Sequence, residues 1–187
     1  MPNETTNNKI YQSVSKLQSK TIRLRLVEET DAEFILSLRL DQRYNQYLSK
    51  VSNDLDQQRA WIKQYKNSES SGEEYYFIIE RLDGTECGTV RLYDFLKESF
   101  SWGSWILNQE KTRTAAIETA MLVYQFGFDE MRFNKSHFEV LKNNKKVISF
   151  HTRLGAEQSS EDDEYCYFNF HKETYIDKCE EFKRLIS

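Results

Sequence analysis

Glycine and proline are scarce in this sequence, which has six glycines and one proline among 187 residues. That composition argues against a loop-rich or disordered chain. No apolar run is long enough to span a membrane, and the amino-terminal stretch lacks the apolar segment of a secretory signal. We therefore expect a cytoplasmic protein that has no membrane partner.

Cysteine is also rare, and no charge of one sign dominates. Cys87, Cys166 and Cys179 show neither CxxC nor metal-ligand spacing, so the sequence predicts no metal site. An odd number of cysteines fits a reducing compartment. The 26 basic and 30 acidic residues are well mixed and give a net charge of -4, which does not favour nucleic acid as a partner.

Aromatic residues, in contrast, make up 14% of the chain, and hydrophobic residues make up 39%. A chain of this length suits one domain with a packed core. Aromatic side chains fill cores, and they also line ligand clefts.

The hydrophobic periodicity predicts strand, two helices, three strands, helix, strand, helix, strand and a closing helix. This order indicates an α+β fold with a mixed, mostly antiparallel sheet and helices on both faces. We expect one domain over residues 21–170, with the amphipathic helix of residues 171–187 packed on it. The apolar side of that helix would carry Tyr175, Ile176, Cys179 and Phe182. Residues 1–20 are polar, and they fit a mobile tail or a short docking helix carrying Ile10, Val14 and Leu17.

The stretch NQEKTRTAAIETAML, residues 108–122, is where one long helix begins, which we expect over residues 113–130. A helix N-terminus offers unpaired backbone N–H groups and the positive end of the helix dipole, which together can bind a phosphate. Lys111 and Arg113 could add charged contacts to such a ligand. An ordinary helix start with solvated side chains explains the same residues.

Three stretches together resemble the GNAT superfamily of acetyl-CoA-dependent N-acetyltransferases, and the branch that contains the ribosomal-protein N-terminal acetyltransferases. They are TIRLRLVEETDAEFILSLR, GSWILNQEKTRTAAIETAMLVYQFGFDEM and VLKNNKKVISFHTRLGAE, within residues 21–170. The family's pyrophosphate loop usually reads Q/R-x-x-G-x-G/A. The aligned residues 112–117 here, TRTAAI, lack both glycines and the leading Arg or Gln.

The resemblance implies a site for acetyl-CoA as cosubstrate. Backbone N–H groups bind the pyrophosphate in this family, so the missing glycines do not by themselves remove the site. A backbone N–H of the preceding strand would polarise the thioester carbonyl, and an asparagine would contact the pantetheine arm. The alternative role of that asparagine is to cap the helix that follows it, and one residue can serve both roles. The residues implied are Ile106, Leu107, Lys111, Thr112, Arg113, Thr114, Ala115, Ala116 and Asn144.

The resemblance also implies catalytic residues. His151 stands where many members have a tyrosine that protonates the departing thiolate, and an imidazole that titrates near neutrality could take that role. His137 and Glu139 share one face of a strand and are the two candidates for general base, with His137 slightly favoured. Purely structural roles are the alternatives for all three residues.

Aromatic residues are the candidates for the acceptor pocket, and by default each would belong to the core. We expect Tyr44, Trp61, Tyr93 and Trp105 to bind substrate, with Tyr47 and Trp102 as further candidates. Trp102 and Trp105 are three residues apart in a strand, so they would face opposite sides unless a β-bulge lies near Gly103.

The expected reaction is transfer of acetyl from acetyl-CoA to the primary amine of a small molecule. The stretches SWIL, AAIETAMLVYQFGF and NKSHFEV also resemble amino-sugar acetyltransferases of surface-polysaccharide pathways, a looser resemblance that implies a nucleotide-linked amino sugar as acceptor. A protein N-terminus of the ribosomal type is the alternative acceptor, and a non-catalytic GNAT-like binding module is the alternative class. A homodimer is an option that the sequence leaves open.

Overall fold

The structure, a computed structural model, describes residues 14–186, and the expected helix position of Ile10 lies outside them. Seven strands and five helices follow each other along the described chain. They are β1 (Ile22–Leu26), α1 (Ala32–Leu40), α2 (Leu55–Ser71), β2 (Tyr75–Arg81), β3 (Glu86–Tyr93), β4 (Ser99–Leu107), α3 (Ala115–Gln125), β5 (Lys135–Leu141), α4 (Lys145–Leu154), β6 (Glu157–Glu161), β7 (Tyr165–His171) and α5 (Lys172–Ile186). None of the described helices is long and apolar enough to cross a membrane.

The strands form one seven-stranded sheet in the order β1-β2-β3-β4-β5-β7-β6. Every pair is antiparallel except β4 and β5, which are parallel and joined through α3. The expected α+β fold with a mixed, mostly antiparallel sheet is therefore confirmed. Six of the seven strands were placed correctly by alternating apolar residues and by turn signals such as Asp83-Gly84, between β2 and β3.

Helices cover both faces of the sheet, as predicted. The apolar side chains of α3 and α5 pack on one face with Phe77 and Phe100, in the larger core. The helices α1 and α2 pack on the other face, where Ile35, Ile62 and Tyr76 belong to a second core. Successive side chains of one strand therefore lie on opposite faces of the sheet, each facing a different set of helices.

The parallel pair β4 and β5 is hydrogen-bonded only at its beginning. The paired residues are Ser99 with Lys135 and Phe100 with Ser136. Beyond them β4 continues to Leu107 with β3 as its only partner among the described strands. The two central strands therefore separate, and a gap opens through the middle of the sheet.

A β-bulge occurs in β4, at the position that the sequence required if both tryptophans were to share one side. The register shifts between Thr89/Arg91 on β3, opposite Gly103 and Ile106 on β4. Ser104 has a positive φ of 46°, and its carbonyl accepts a hydrogen bond from Thr89 Oγ1 at 3.1 Å. The extra residue brings the rings of Trp102 and Trp105 to 5.3 Å between centroids.

Two features of the fold differ from the sequence prediction. The helix expected over residues 113–130 is α-helical only to Gln125 and then continues as a π-turn, Phe126–Glu130. Phe126, Gly127 and Phe128 are all buried, and the wider turn allows consecutive residues to face the core. Strand β6 was missed because its sequence, EQSSE, is fully exposed and has no apolar alternation.

The ends of the described chain pack on the larger core. Val14 and Leu17 are buried there, as is Tyr175 on α5. Ile176, expected on the apolar side of α5, is instead 54% exposed.

A buried glutamate fixes the beginning of α3 against the segment before β1. Glu118 is fully buried, and its carboxylate accepts hydrogen bonds from Thr21 N (2.8 Å), Thr21 Oγ1 (2.6 Å) and Thr114 Oγ1. Burial acts to raise the pKa of this carboxyl, but the hydrogen bonds from Thr114 and Thr21 outweigh it, so its pKa lies below the ordinary value. The charged form is therefore the one that stabilises the fold.

Replacing this glutamate should change the acid sensitivity of the fold. We expect Glu118→Gln to lower the free energy of unfolding at neutral pH by roughly 1–3 kcal/mol, the usual cost of disturbing a buried, charge-assisted hydrogen bond. Because the folded-state pKa is lowered, this stabilisation is present above about pH 4.3, the unfolded value, and is lost as the pH falls further. Urea denaturation at several pH values measures it, with the exposed Glu33→Gln as control. A difference between wild type and Glu118→Gln that does not shrink in acid would contradict the assignment.

Candidate active site

A cavity of about 700 Å³ fills the gap between β4 and β5. We call it the central cavity, and its walls include Tyr44, Tyr93, Trp102, Trp105, Glu139 and His151. Trp102 belongs to the core on the α3 side, and Glu139 lies on the alternate face of β5. The cavity is thus reached from both faces of the sheet, which suits a reaction between two separate substrates.

The first turn of α3 presents unpaired backbone donors, although none of residues 111–116 is among those that line the central cavity. Among residues 14–186, the backbone N–H groups of Arg113, Thr114 and Ala116 donate no hydrogen bond. These groups lie at the positive end of the helix dipole, where an anion is stabilised. Loss of the family's glycines therefore leaves the backbone donors in place.

The side chains around this turn leave its backbone N–H groups open to an anion. We call this turn, together with Lys111 and Arg113, the phosphate seat. Ala115 is fully buried and Ile117 packs against the larger core, so neither side chain covers the free N–H groups. Lys111 and Arg113 are exposed beside them. Thr112 is held through its hydroxyl, 2.6 Å from Thr21 Oγ1.

The separation of the strands also frees a donor on β4. Asn108 N–H donates to Cys87 O on β3 at 2.9 Å. Because successive N–H groups of a strand point in opposite directions, Leu107 N–H points away from β3 and toward the central cavity. Of the two positions suggested by the sequence, Leu107 rather than Ile106 is placed to contact a carbonyl oxygen there.

Asn144 lies both at the beginning of a helix and in the wall of the central cavity. It is the N-cap of α4, and its side chain accepts a 3.4 Å hydrogen bond from Val147 N. It also lines the central cavity. The capping role is confirmed, and the contact with a pantetheine arm stays a prediction.

His151 lies in the wall of the central cavity and is only 4% exposed. Its ring centroid is 4.4 Å from that of Phe138 and 5.3 Å from that of Trp102. Burial lowers the pKa of His151 to about 3. The imidazole is thus neutral at physiological pH, which corrects the expectation that it titrates near neutrality; what remains available is a neutral N–H donor.

The two candidates for general base lie in different surroundings. Both ring nitrogens of His137 are engaged, Nδ1 with Ser99 Oγ at 3.0 Å and Nε2 with Asp94 Oδ2 at 2.9 Å. His137 is not among the residues that line the central cavity, whereas Glu139 is. The structure therefore favours the carboxylate over the histidine that the sequence slightly preferred.

The aromatic candidates divide between two spaces. Tyr44, Tyr93 and Trp105 line the central cavity, as do Tyr47 and Trp102. Trp61 lines a neighbouring cavity, which we call the side groove, between α1, α2 and the sheet.

Sequence reasoning missed the basic residues of the central cavity. Its lining contains Arg39, Arg43 and Lys146 but only one carboxylate, Glu139. Arg43 is paired with Asp41 outside the lining, at 2.6 Å. Along the sequence these three cations look like ordinary surface residues, and only the fold brings them to one space.

This fold and this cavity define a class of protein that transfers an acyl group between two bound substrates. Residues 21–157 match the acetyltransferase (GNAT) domain family. The chain belongs to that family, whose members use acetyl-CoA, and it is an N-acetyltransferase.

Individual relatives agree with this assignment. The solved structure described as apo FdhC, a nucleotide-linked sugar GNAT, is 52% identical, with a TM-score of 0.86 over 91% of this chain and 98% of that one. The probable N-acetyltransferase YjcK of Bacillus subtilis is 27% identical over 68% of this chain and 76% of its own length. A Vibrio cholerae spermidine N-acetyltransferase solved with CoA and spermine is 16% identical, with a TM-score of 0.71 over 83% and 98%, and shares the fold.

The state of His151 is open to direct measurement. We expect the His151 ring resonances to keep their neutral chemical shifts from about pH 8 to about pH 5, because its apolar surroundings exclude the imidazolium form. NMR titration of the three histidines measures this, and the spectrum of His151→Gln identifies the signal. A signal of His151 that moves within that range would show that the ring is hydrated and able to ionise.

Proposed function

We propose that this enzyme transfers the acetyl group of acetyl-CoA to the amine of a nucleotide-linked amino sugar used in surface-polysaccharide synthesis. The observation that carries the proposal is a central cavity whose cations outnumber its carboxylates, in a chain 52% identical to a nucleotide-linked sugar GNAT. A polyamine acceptor would call for the opposite charge. A diphosphate-linked sugar is an anion that such a cavity attracts.

Acetyl-CoA fits the residues on the α3 side of the cavity. The free N–H groups of Arg113, Thr114 and Ala116 suit a pyrophosphate, and the exposed Lys111 and Arg113 add positive charge. Trp105 Nε1 and His151 Nδ1 are buried without a hydrogen-bond partner among residues 14–186. Buried polar atoms of this kind are normally paired, so a bound ligand that supplies acceptors accounts for them.

Three residues of this chain would carry the chemistry. Glu139 accepts a proton from the attacking amine, directly or through a water molecule. Leu107 N–H donates to the thioester carbonyl oxygen as negative charge develops there, an interaction worth about 3 kcal/mol in other enzymes. His151, as a neutral imidazole, offers an N–H to the departing sulfur.

The phosphate seat can be tested by calorimetry with free CoA. We expect Arg113→Ala to weaken binding about two- to fivefold at low salt, since an exposed charge at a helix N-terminus contributes a few tenths to one kcal/mol. High salt should remove the difference. Lys97→Ala, another exposed basic residue outside the cavity lining, serves as control, and an unchanged Kd for Arg113→Ala at low salt would exclude a contact with this side chain.

The acceptor is tested by comparing kcat/KM for nucleotide-linked amino sugars, spermidine and a peptide with a free N-terminus. We expect a nucleotide-linked amino sugar to be used best, because its diphosphate is complementary in charge to the cavity. A higher kcat/KM for spermidine or the peptide would overturn the proposed acceptor.

The same assay examines the base. We expect Glu139→Gln to lower kcat/KM about 100-fold or more, the usual effect of losing a general base, while the Kd for CoA stays the same. His137→Gln is the matched variant on the same face of β5, and a larger loss of activity there would reassign the base to His137.

A further inference from the structure

The side groove adjoins the central cavity on the α1–α2 side of the sheet. It has a volume of about 230 Å³. Arg39, Ser49 and Ser104 line both spaces, so the two meet at these residues. A ligand that fills the central cavity can therefore extend past them into the side groove.

Arg39 stands at this junction with unused hydrogen-bonding capacity. Its Nη2 donates to the carbonyl and hydroxyl oxygens of Ser49, both at 2.8 Å. Its Nε is buried and has no hydrogen-bond partner among residues 14–186. The arginine forms no ion pair with any carboxylate in this part of the chain, in contrast to Arg91, which pairs with Glu74. An unpaired guanidinium held in place is suited to an external anion, above all a phosphate.

The far end of the side groove presents an aromatic ring. Trp61 is 39% exposed although it is held by its neighbours. Its ring lies parallel to Tyr65 at 5.8 Å and edge-on to Tyr76 at 5.9 Å between centroids, and the Arg91 guanidinium is 5.5 Å from its centroid. An exposed tryptophan whose orientation is fixed is a surface on which a nucleobase can stack.

The remaining lining of the side groove combines the apolar side chains of Ile35 and Val51 with polar ones. Gln58 lies on the same helix, one turn before Trp61, and its amide offers both a donor and an acceptor to the edge of a base. The lining contains no Asp or Glu. An anionic ligand is thus favoured over a cationic one in this space as well.

We propose that the side groove binds the nucleoside diphosphate part of the acceptor, an inference that rests on the proposed function. The base lies against Trp61, the diphosphate lies at Arg39, and the amino sugar reaches through the junction to Glu139. The order of the parts along such a molecule, nucleoside, diphosphate and sugar, is the order of the side groove, the shared residues and the central cavity. Specificity for a nucleotide carrier therefore resides outside the acetyl-transfer centre.

Binding of nucleoside diphosphates to the CoA-saturated enzyme tests this inference. Saturation with CoA prevents the probes, dTDP, UDP and GDP, from occupying the phosphate seat at α3. Calorimetry gives the Kd, and quenching of tryptophan fluorescence reports stacking on Trp61. We expect Trp61→Ala and Arg39→Met each to raise the Kd of the best probe about tenfold, the scale of one lost stacking or charge-assisted phosphate contact.

Matched variants separate this effect from a general loss of structure. Leu82→Ala removes another exposed apolar side chain, and Arg153→Met removes an exposed arginine whose Nε, outside both cavities, donates to the carbonyl of Ser149. Both should keep the wild-type Kd, and Trp61→Phe, which retains an aromatic ring, should recover most of the affinity. All variants should bind CoA as the wild type does.

The outcomes distinguish this inference from the proposed function. If the wild type acetylates a nucleotide-linked amino sugar while Trp61→Ala and Arg39→Met leave its KM and the diphosphate Kd unchanged, the side groove is not the nucleotide site although the function stands. If no diphosphate binds and a sugar without a nucleotide, a peptide or a polyamine is the better acceptor, both are overturned.

Discussion

The separation of β4 from β5 is the constraint on which the rest of this structure depends. Two neighbouring parallel strands would ordinarily hydrogen-bond along their length, yet here pairing stops after Phe100 and Ser136. The backbone groups beyond that point are left for ligands, and Leu107 N–H is the clearest case. The bulge at Ser104 brings Trp102 and Trp105 together in the wall of the central cavity. Without this gap the molecule would have a continuous sheet and no path between its two faces.

The catalytic roles proposed in the central cavity follow from which of the side chains around it are buried and which are charged. His151 is surrounded by aromatic rings and stays neutral, while Glu139 lies exposed on the alternate face of β5. Arg39 and the first turn of α3 supply positive charge at two separate edges. One edge suits the phosphates of the donor, and the other suits those of the proposed acceptor. Glu118 fixes the first turn of α3, on the side proposed for the acetyl donor, because its carboxylate accepts hydrogen bonds from both Thr114 and Thr21.

Local sequence patterns were enough for most of the fold, and for the parts of the site that depend on local structure. Alternation of Ile22, Leu24 and Leu26 defines β1, and an asparagine before an apolar helix defines the cap at Asn144. The surroundings of His137 could not be predicted, because Ser99 and Asp94 are 38 and 43 residues away in the chain. The burial of His151 and the position of Arg39 likewise depend on contacts between elements distant in sequence. Strand β6 carries no hydrophobic signal, since its partner β7 supplies the pairing and its side chains face solvent.

The passage through the sheet also bears on the kinetics of the enzyme. On the proposed assignment, the donor lies on the side of α3 and α4 and the acceptor on the side of α1 and α2, so each has its own entrance. Neither substrate has to leave before the other can enter, and the two reactive groups meet only within the gap. Such an arrangement favours direct transfer within a ternary complex, with either substrate binding first, over a ping-pong cycle in which the first product departs before the second substrate binds.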